Sequence, residues 1–264
     1  MQGQTSPMPE ARILDVRNVH LAFSGLKALD GVTFGIMPGR LTALVGPNGA
    51  GKTTLFNVMS GLLRPDSGEI LLGGRNMAGL SADQISRSRM VRTFQIARGL
   101  PKMTVFEHLM LYGREQPGES LWQIVVNLAA VRRREAELAE QAIAVAHRLR
   151  LMPVIDHLVT NLSGGQKKLL EIGRALMAEP DVILFDEPSA GVNPTLTEEI
   201  GDKLIDIVRE GRTVVLIEHD MALVERVADH VIVLALGRTL TQGSFAEIRD
   251  SDAVQQAYLG ARAA

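Results

Sequence analysis

From Gly46 to Thr53 the chain reads Gly46-Pro47-Asn48-Gly49-Ala50-Gly51-Lys52-Thr53, the spacing G-x-x-x-x-G-K-[ST]. Glycines at these points let backbone wrap closely around a phosphate with its N–H groups turned inward, and a helix starting after the loop adds the positive end of its dipole. Lys52 is placed to reach the β- and γ-phosphates, and Thr53 to hold Mg²⁺. Thr54 extends the binding run. A chance glycine turn is the bland alternative, but the apolar run Leu41–Val45 before the loop and the helix-like text from Lys52 after it supply the context that phosphate binding needs.

A second group of reactive residues ends another apolar run. Val182-Ile183-Leu184-Phe185-Asp186-Glu187-Pro188 reads as a buried strand followed by two acids. Open parallel sheets bind ligands at the carboxyl ends of their strands. Asp186 is therefore placed to hold Mg²⁺ through water, and Glu187 to polarise an attacking water, a general-base role worth about 10²–10⁴-fold in rate. An acidic turn at a strand end is the competing reading, and the phosphate loop weighs against it. A third group, Leu162-Ser163-Gly164-Gly165-Gln166, precedes an amphipathic helix expected over Lys167–Ala178 and closed off by Pro180. Ser163 with Gln166 forms a capping box, and the two glycines leave N–H groups uncovered, the makings of a second anion site.

These residues require a scaffold of alternating strands and helices. Ile13 to Phe34 reads as short strands with a turn at Asp30-Gly31, and Glu69–Leu72 as another strand. A helix is expected over Lys52–Leu63, stopped by Arg64-Pro65. Strand signals recur near Val91–Gln95, at Asp181–Phe185, at Thr213–Ile217 and at Val231–Leu236. The run at Thr213–Ile217, like that at Asp181–Phe185, is continuously apolar, the mark of a strand buried on both faces of a parallel sheet. Ile200–Arg209 and Gln255–Leu259 read as helical, and residues 96–175 as a mostly helical insert. The expected fold is α/β, built on a mostly parallel sheet.

Composition limits the function classes. The 264 residues hold 28 Lys+Arg against 30 Asp+Glu, a net charge of −2, which gives no general affinity for nucleic acid. No cysteine is present, so disulfides, thiolate metal sites and Cys nucleophiles are excluded. The uncharged stretch Ser120–Val131 is shorter than the roughly 18 residues of a spanning helix. The opening MQGQTSPMPE lacks the basic and apolar regions of a secretory signal and reads as a loose tail.

The phosphate loop, LSGGQ at 162–166 and ILFDEP at 183–188 together resemble the ATP-binding subunits of ABC transporters, over about Ile13 to Gly260. The resemblance implies a P-loop NTPase (RecA-like) core, an N-terminal antiparallel β-subdomain and an α-helical signature subdomain. It implies an ATP-binding domain over residues 11–250 and a C-terminal extension over residues 236–262. In that family two such domains pair head to tail, so Ser163, Gly165 and Gln166 would contact nucleotide in trans. Phe23 stands where the family stacks an aromatic on adenine; a half-buried strand Phe is the alternative. Gln95 looks like the family glutamine that touches Mg²⁺ or the attacking water and links to the membrane subunit. His219 looks like the histidine that contacts the γ-phosphate; a zinc site with His230 lacks a suitably spaced third ligand. Asn193 stands where many members carry Asp, which puts any charge-based role of that loop in doubt.

The text Ile217-Glu218-His219-Asp220-Met221, the ending Val254–Gly260 and the insert around Gly118–Glu135 are similar to the branch that imports branched-chain amino acids. Relatives of that branch serve urea and short amides, and a cousin branch serves lipopolysaccharide export. A non-transport ATPase of the family is disfavoured by the single phosphate loop and the lack of a long heptad run. The resemblance implies an ATPase using ATP and Mg²⁺, peripheral on the cytoplasmic face of the plasma (inner) membrane. Its partners would be multi-span permease subunits, a second ATP-binding subunit and, indirectly, an extracytoplasmic solute-binding protein. In the insert, Leu121, Trp122, Ile124, Val125, Val126 and Leu128 form an apolar face, read as internal packing in preference to a membrane edge. Arg132-Arg133-Arg134 reads as a solvated face.

Overall fold

The computed structural model describes residues 12–93, 102–114 and 128–260. The tail at 1–10, Gln95, Trp122 and most of the 118–135 insert lie outside them. Two sheets organise the fold. The first is antiparallel, in the order β2-β1-β4-β5, from β1 (Leu14–Phe23), β2 (Leu26–Ile36), β4 (Ser67–Leu72) and β5 (Arg75–Asn76). The second has the order β10-β9-β3-β8-β7-β6, from β3 (Leu41–Val45), β6 (Met90–Arg92), β7 (Val182–Asp186), β8 (Thr213–Ile217), β9 (His230–Ala235) and β10 (Arg238–Gly243). Its strands run parallel except β10, which returns antiparallel to β9.

The hairpin joining β1 to β2 turns at Ser24-Gly25, not at the expected Asp30-Gly31. Ser24 and Gly25 both have positive φ, 48° and 90°, as the tight hairpin turn matching strand twist requires. Gly31 also has positive φ, but His20 pairs with Asp30 and Val19 with Val32, so Gly31 is a bulged residue inside β2. The bulge keeps Leu14, Val16, Val19 and Leu21 facing Ile36, Phe34, Val32 and Leu29 across the hairpin, all buried.

The parallel strands are buried on both faces, as their uninterrupted apolar runs require. In β7, Val182 and Leu184 join one core with α1 (Lys52–Met59) and the antiparallel sheet, while Ile183 and Phe185 join another. That second core holds α3 (Val105–Leu111), α4 (Leu128–Arg148), α5 (Gly164–Met177) and α6 (Pro194–Arg209). Each such fully buried aliphatic or aromatic side chain contributes about 1.5–3 kcal/mol. A smaller third core lies between Val45 and Val233 and the C-terminal helices α8 (Phe245–Arg249) and α9 (Asp252–Gly260), with Tyr258 packed against it. The remaining helices are α2 (Ala82–Arg87) and α7 (Met221–Val227).

Helix ends differ from the sequence-based bounds for identifiable reasons. α1 stops at Met59 instead of Leu63. Gly61 at φ 74° ends it, with the Leu62 N–H donating to the Asn57 carbonyl and the Gly61 N–H to that of Val58. α5 starts at Gly164, before the expected Lys167, because Ser163 is its N-cap and both glycines are already helical. α6 starts at Pro194, well ahead of Ile200. The Asn193 side chain caps it by accepting from the Leu196 N–H at 2.9 Å, and Pro194 takes the first helical position. Of the 132–134 arginines, Arg134 is not wholly solvated: it donates to the Arg114 carbonyl at 2.7 Å.

Candidate nucleotide and hydrolysis site

The loop after β3 closes on itself. Gly46, Gly49 and Gly51 all have positive φ. A Cβ on Gly46 would lie 2.1 Å from the Leu234 carbonyl oxygen, and one on Gly51 2.6 Å from that of Ala28. Gly46 and Gly51 are therefore required by close backbone approach as well as by conformation, and Gly49 by conformation alone. Gly51 precedes α1 with no side-chain cap bond, so the first N–H groups of the helix face the loop. The turn Leu236-Gly237 fastens the loop from outside. The Gly237 N–H donates to the Ala50 carbonyl, and the Gly237 carbonyl accepts from the Asp30 N–H.

Lys52 is 5% exposed, and its Nζ donates to the carbonyls of Gly46 at 2.7 Å and Pro47 at 3.0 Å. Burial pushes its pKa down, while the nearby carboxylates of Glu187 and Asp186 oppose that shift. The same interactions place both acids within electrostatic reach of the loop. A cleft of about 410 Å³ is lined by Asn48 to Thr54, Glu187, His219 and the hairpin residues Leu26 and Ala28.

Glu187 and His219 meet directly: His219 Nε2 is 2.6 Å from Glu187 Oε1, both side chains being half-exposed. The backbone of Glu187 is held in the left-handed region at φ 49°, a costly conformation for a residue with a Cβ. Its N–H donates to the Ile217 carbonyl at 2.9 Å, and Lys168 of α5 donates to its carbonyl at 3.3 Å. Asp186 is engaged on its Oδ2 by Arg92 Nη2 at 2.6 Å. Arg92 in turn donates to Asn57 Oδ1 at 2.6 Å and lies over the Phe56 ring. Oxygen donors at Thr53 and Asp186 suit Mg²⁺, which takes one or two protein oxygens plus phosphate and water. No group of three or more His, Cys, Asp or Glu that could hold a metal occurs among the described residues.

Of the expected nucleotide and metal contacts, Gly46, Pro47 and Asp186 adjoin the cleft in sequence without lining it, and four others do not line it either. Phe23 does not line it. It is 46% exposed and pairs across the hairpin with Leu26, which does line it. Leu236, 88% exposed, lines it too and was not singled out from sequence. Ser163, Gly165 and Gln166 are also absent from the lining. Within one chain Ser163 and Gln166 serve the capping box, at 2.9 and 3.2 Å, and Gly165 packs on Leu196. Gln95 lies outside the described residues.

Two further side chains matter that spacing did not reveal. Arg92 looked like part of a strand end. Glu218, beside His219 in the run Ile217–Met221, is 2% exposed and accepts two backbone hydrogen bonds. A second cleft, of about 270 Å³, lies between β6 and the helical layer, lined by Val91, Thr93, Leu111, Tyr112 and Arg174 among others. Arg174 is buried there, donates to the Tyr112 hydroxyl and lies over its ring.

Residues 29–190 match the family described as ABC transporter, a span running from β2 through the loop after β7. The chain belongs to the ABC transporter family. Relatives align over almost the whole length. A probable branched-chain amino acid transport ATP-binding protein LivG of Archaeoglobus fulgidus is 37% identical over 95% of this chain and 96% of its own. The high-affinity LivG of Escherichia coli K12 is 37% identical over 94% and 98%, and BraF of Pseudomonas aeruginosa 36% identical over 94% and 98%. A solved ATP-binding cassette of an ABC transporter in its ADP conformation superposes with TM-score 0.83 at 35% identity, covering 94% of this chain and 99% of that one. A nucleotide-free ATP-binding cassette superposes with TM-score 0.82 at 34% identity, covering 94% and 98%. The expected α/β architecture is thereby borne out, and the chain is an ABC transporter ATPase of the nucleotide-binding subunit type. No helix among the described residues is long and apolar enough to cross a membrane.

Proposed function

We propose that this chain is the ATP-hydrolysing subunit of an importer for branched-chain or related amino acids, working on the cytoplasmic face of the membrane. The observation that carries this reading is the near end-to-end match to LivG and BraF proteins, named for branched-chain amino acid transport. The convergence of Lys52, Glu187 and His219 on one cleft, with the Asp186 carboxylate within electrostatic reach of Lys52, supports turnover as well as binding.

In this mechanism Lys52 exchanges the carbonyls of Gly46 and Pro47 for the β- and γ-phosphate oxygens. Thr53 and Asp186 would hold Mg²⁺, which when bound would neutralise phosphate charge. Glu187 takes the proton of a water whose oxygen attacks the γ-phosphorus in line; the bond to the β–γ bridging oxygen breaks and ADP leaves. His219, on Glu187 in the free chain, turns to the γ-phosphate. Ser163, Gly165 and Gln166 of a second ATP-binding subunit close over the nucleotide from the other side, because their own chain holds them away from its loop. The cleft around Arg174 and Tyr112 receives the permease subunit.

Reconstitution with the neighbouring subunits in liposomes tests this, using radiolabelled leucine, isoleucine, valine and urea. ATP-dependent uptake of a branched-chain amino acid, lost with Glu187→Gln, is expected. Uptake of urea alone keeps the mechanism and overturns the substrate. Absence of any membrane partner overturns the importer.

A further inference from the structure

Glu218 is a buried acid that the hydrolysis mechanism leaves unused. It follows β8 directly and is 2% exposed. One carboxylate oxygen, Oε1, accepts from the Ser189 N–H at 2.9 Å, and the other, Oε2, from the N–H of His219 at 3.1 Å. An apolar side chain there would leave two part-buried backbone N–H groups to find other acceptors. The two loops it joins are those carrying Glu187 and His219, whose side chains meet at 2.6 Å.

We propose that Glu218 is a positioning residue for hydrolysis, a carboxylate clip that sets the distance between Glu187 and His219. Ser189 lies two residues after Glu187, so fixing its N–H fixes the exit of the turn that holds Glu187 at φ 49°. The entry of that turn is fixed by the Glu187 N–H on the Ile217 carbonyl. β8 thus grips the turn at both ends, through Ile217 and through Glu218. A left-handed residue with a Cβ persists only where its surroundings over-determine it, and these two bonds do so. The clip also carries the wall of a cleft shared by Glu187, Ser189, Glu218 and His219, the side on which a second subunit would close. The inference rests on the assignment of Glu187 and His219 to hydrolysis.

Glu218→Gln preserves shape but offers one acceptor where two N–H donors point, so one bond is lost. In the purified chain, and in the complex with its membrane subunits, kcat is expected to fall about tenfold, the size of one lost charge-assisted hydrogen bond. The KM for MgATP and the affinity for a fluorescent ATP analogue stay within about twofold, because the phosphate loop is untouched. Backbone amide exchange at Ser189 or His219 accelerates, while that of the phosphate loop does not. Unchanged kcat overturns the inference. A parallel fall in kcat, nucleotide affinity and melting temperature also overturns it, since the carboxylate is then scaffold alone. Glu187→Gln, measured alongside, separates the two levels. Loss in Glu187→Gln without loss in Glu218→Gln removes the positioning role only; wild-type turnover in both removes the assignment of Glu187 as well.

Discussion

Removing Arg92 tests the coupling between the phosphate-loop helix and the acidic strand end. Arg92 is 7% exposed in its side chain and Asp186 20%, so their 2.6 Å ion pair is shielded from solvent. Arg92→Met keeps the length of the stem and its packing near Phe56, but strands a partly buried carboxylate and leaves Asn57 Oδ1 without this donor. Breaking a buried pair from one side costs about 3 kcal/mol. For a chain of this size each kcal/mol is worth about 2–4 °C, so the melting temperature is expected to fall by about 6–12 °C. MgATP should raise it again by more than it does in wild type, because the metal supplies the carboxylate with a new counter-charge. Scanning calorimetry with and without MgATP measures both. Combining Arg92→Met with Asp186→Asn should restore part of the loss, since neither charge then remains. A melting temperature within about 1 °C of wild type would refute the reasoning, as the pair would then contribute nothing beyond an exposed one.

Glu187→Gln should retain nucleotide affinity, lose at least about 10²-fold in turnover, and accumulate an ATP-bound dimer on gel filtration; a monomer with normal affinity would count against closure by a second subunit. Phe23→Ala should weaken ATP binding by about 1 kcal/mol, roughly fivefold, with the ATP-to-GTP preference unaltered; unchanged affinity returns Phe23 to a purely structural place opposite Leu26. Asn193→Ala should destabilise by about 1 kcal/mol through the lost cap of α6, whereas Asn193→Asp should be neutral. Thermal melts of the two variants check this, and equal losses would mean that the amide itself, not a capping oxygen, decides.

Where chemistry and local geometry coincide in a short run, the text was sufficient. Gly46–Thr53 announced a loop because Gly46 and Gly51 are demanded by close backbone contacts and Gly49 by its positive φ. β7 and β8 were legible because burial on both faces makes Val182–Phe185 and Val214–Ile217 uninterrupted apolar runs. Ser163 and Gln166 were legible because a capping box is closed within four residues. The hairpin turn was misplaced because Asp30-Gly31 and Ser24-Gly25 carry the same local signal, and only cross-strand pairing decides which one turns the chain. β10 escaped notice because none of its positions is buried: Arg238, Leu240 and Gln242 are exposed, and Thr239 and Thr241 are half-buried, so no apolar face marks it. Arg92 and Glu218 escaped for a different reason. Their partners, Asp186 for the one and Ser189 for the other, are far away in sequence, so nothing in the neighbouring text distinguishes them from surface charges.

The phosphate loop carries its own resident cation. With Lys52 Nζ on the carbonyls of Gly46 and Pro47, the ring of backbone is organised around a charge before any nucleotide arrives. Phosphate entry is then a change of acceptors around a donor already in place, so little reorganisation accompanies it. Departure is the reverse: as the phosphates leave, the carbonyls recover the ammonium, and the loop keeps its shape between one turnover and the next. The site behaves as a self-resetting mould, offering each successive nucleotide the same template whether the previous one left as product or was never hydrolysed.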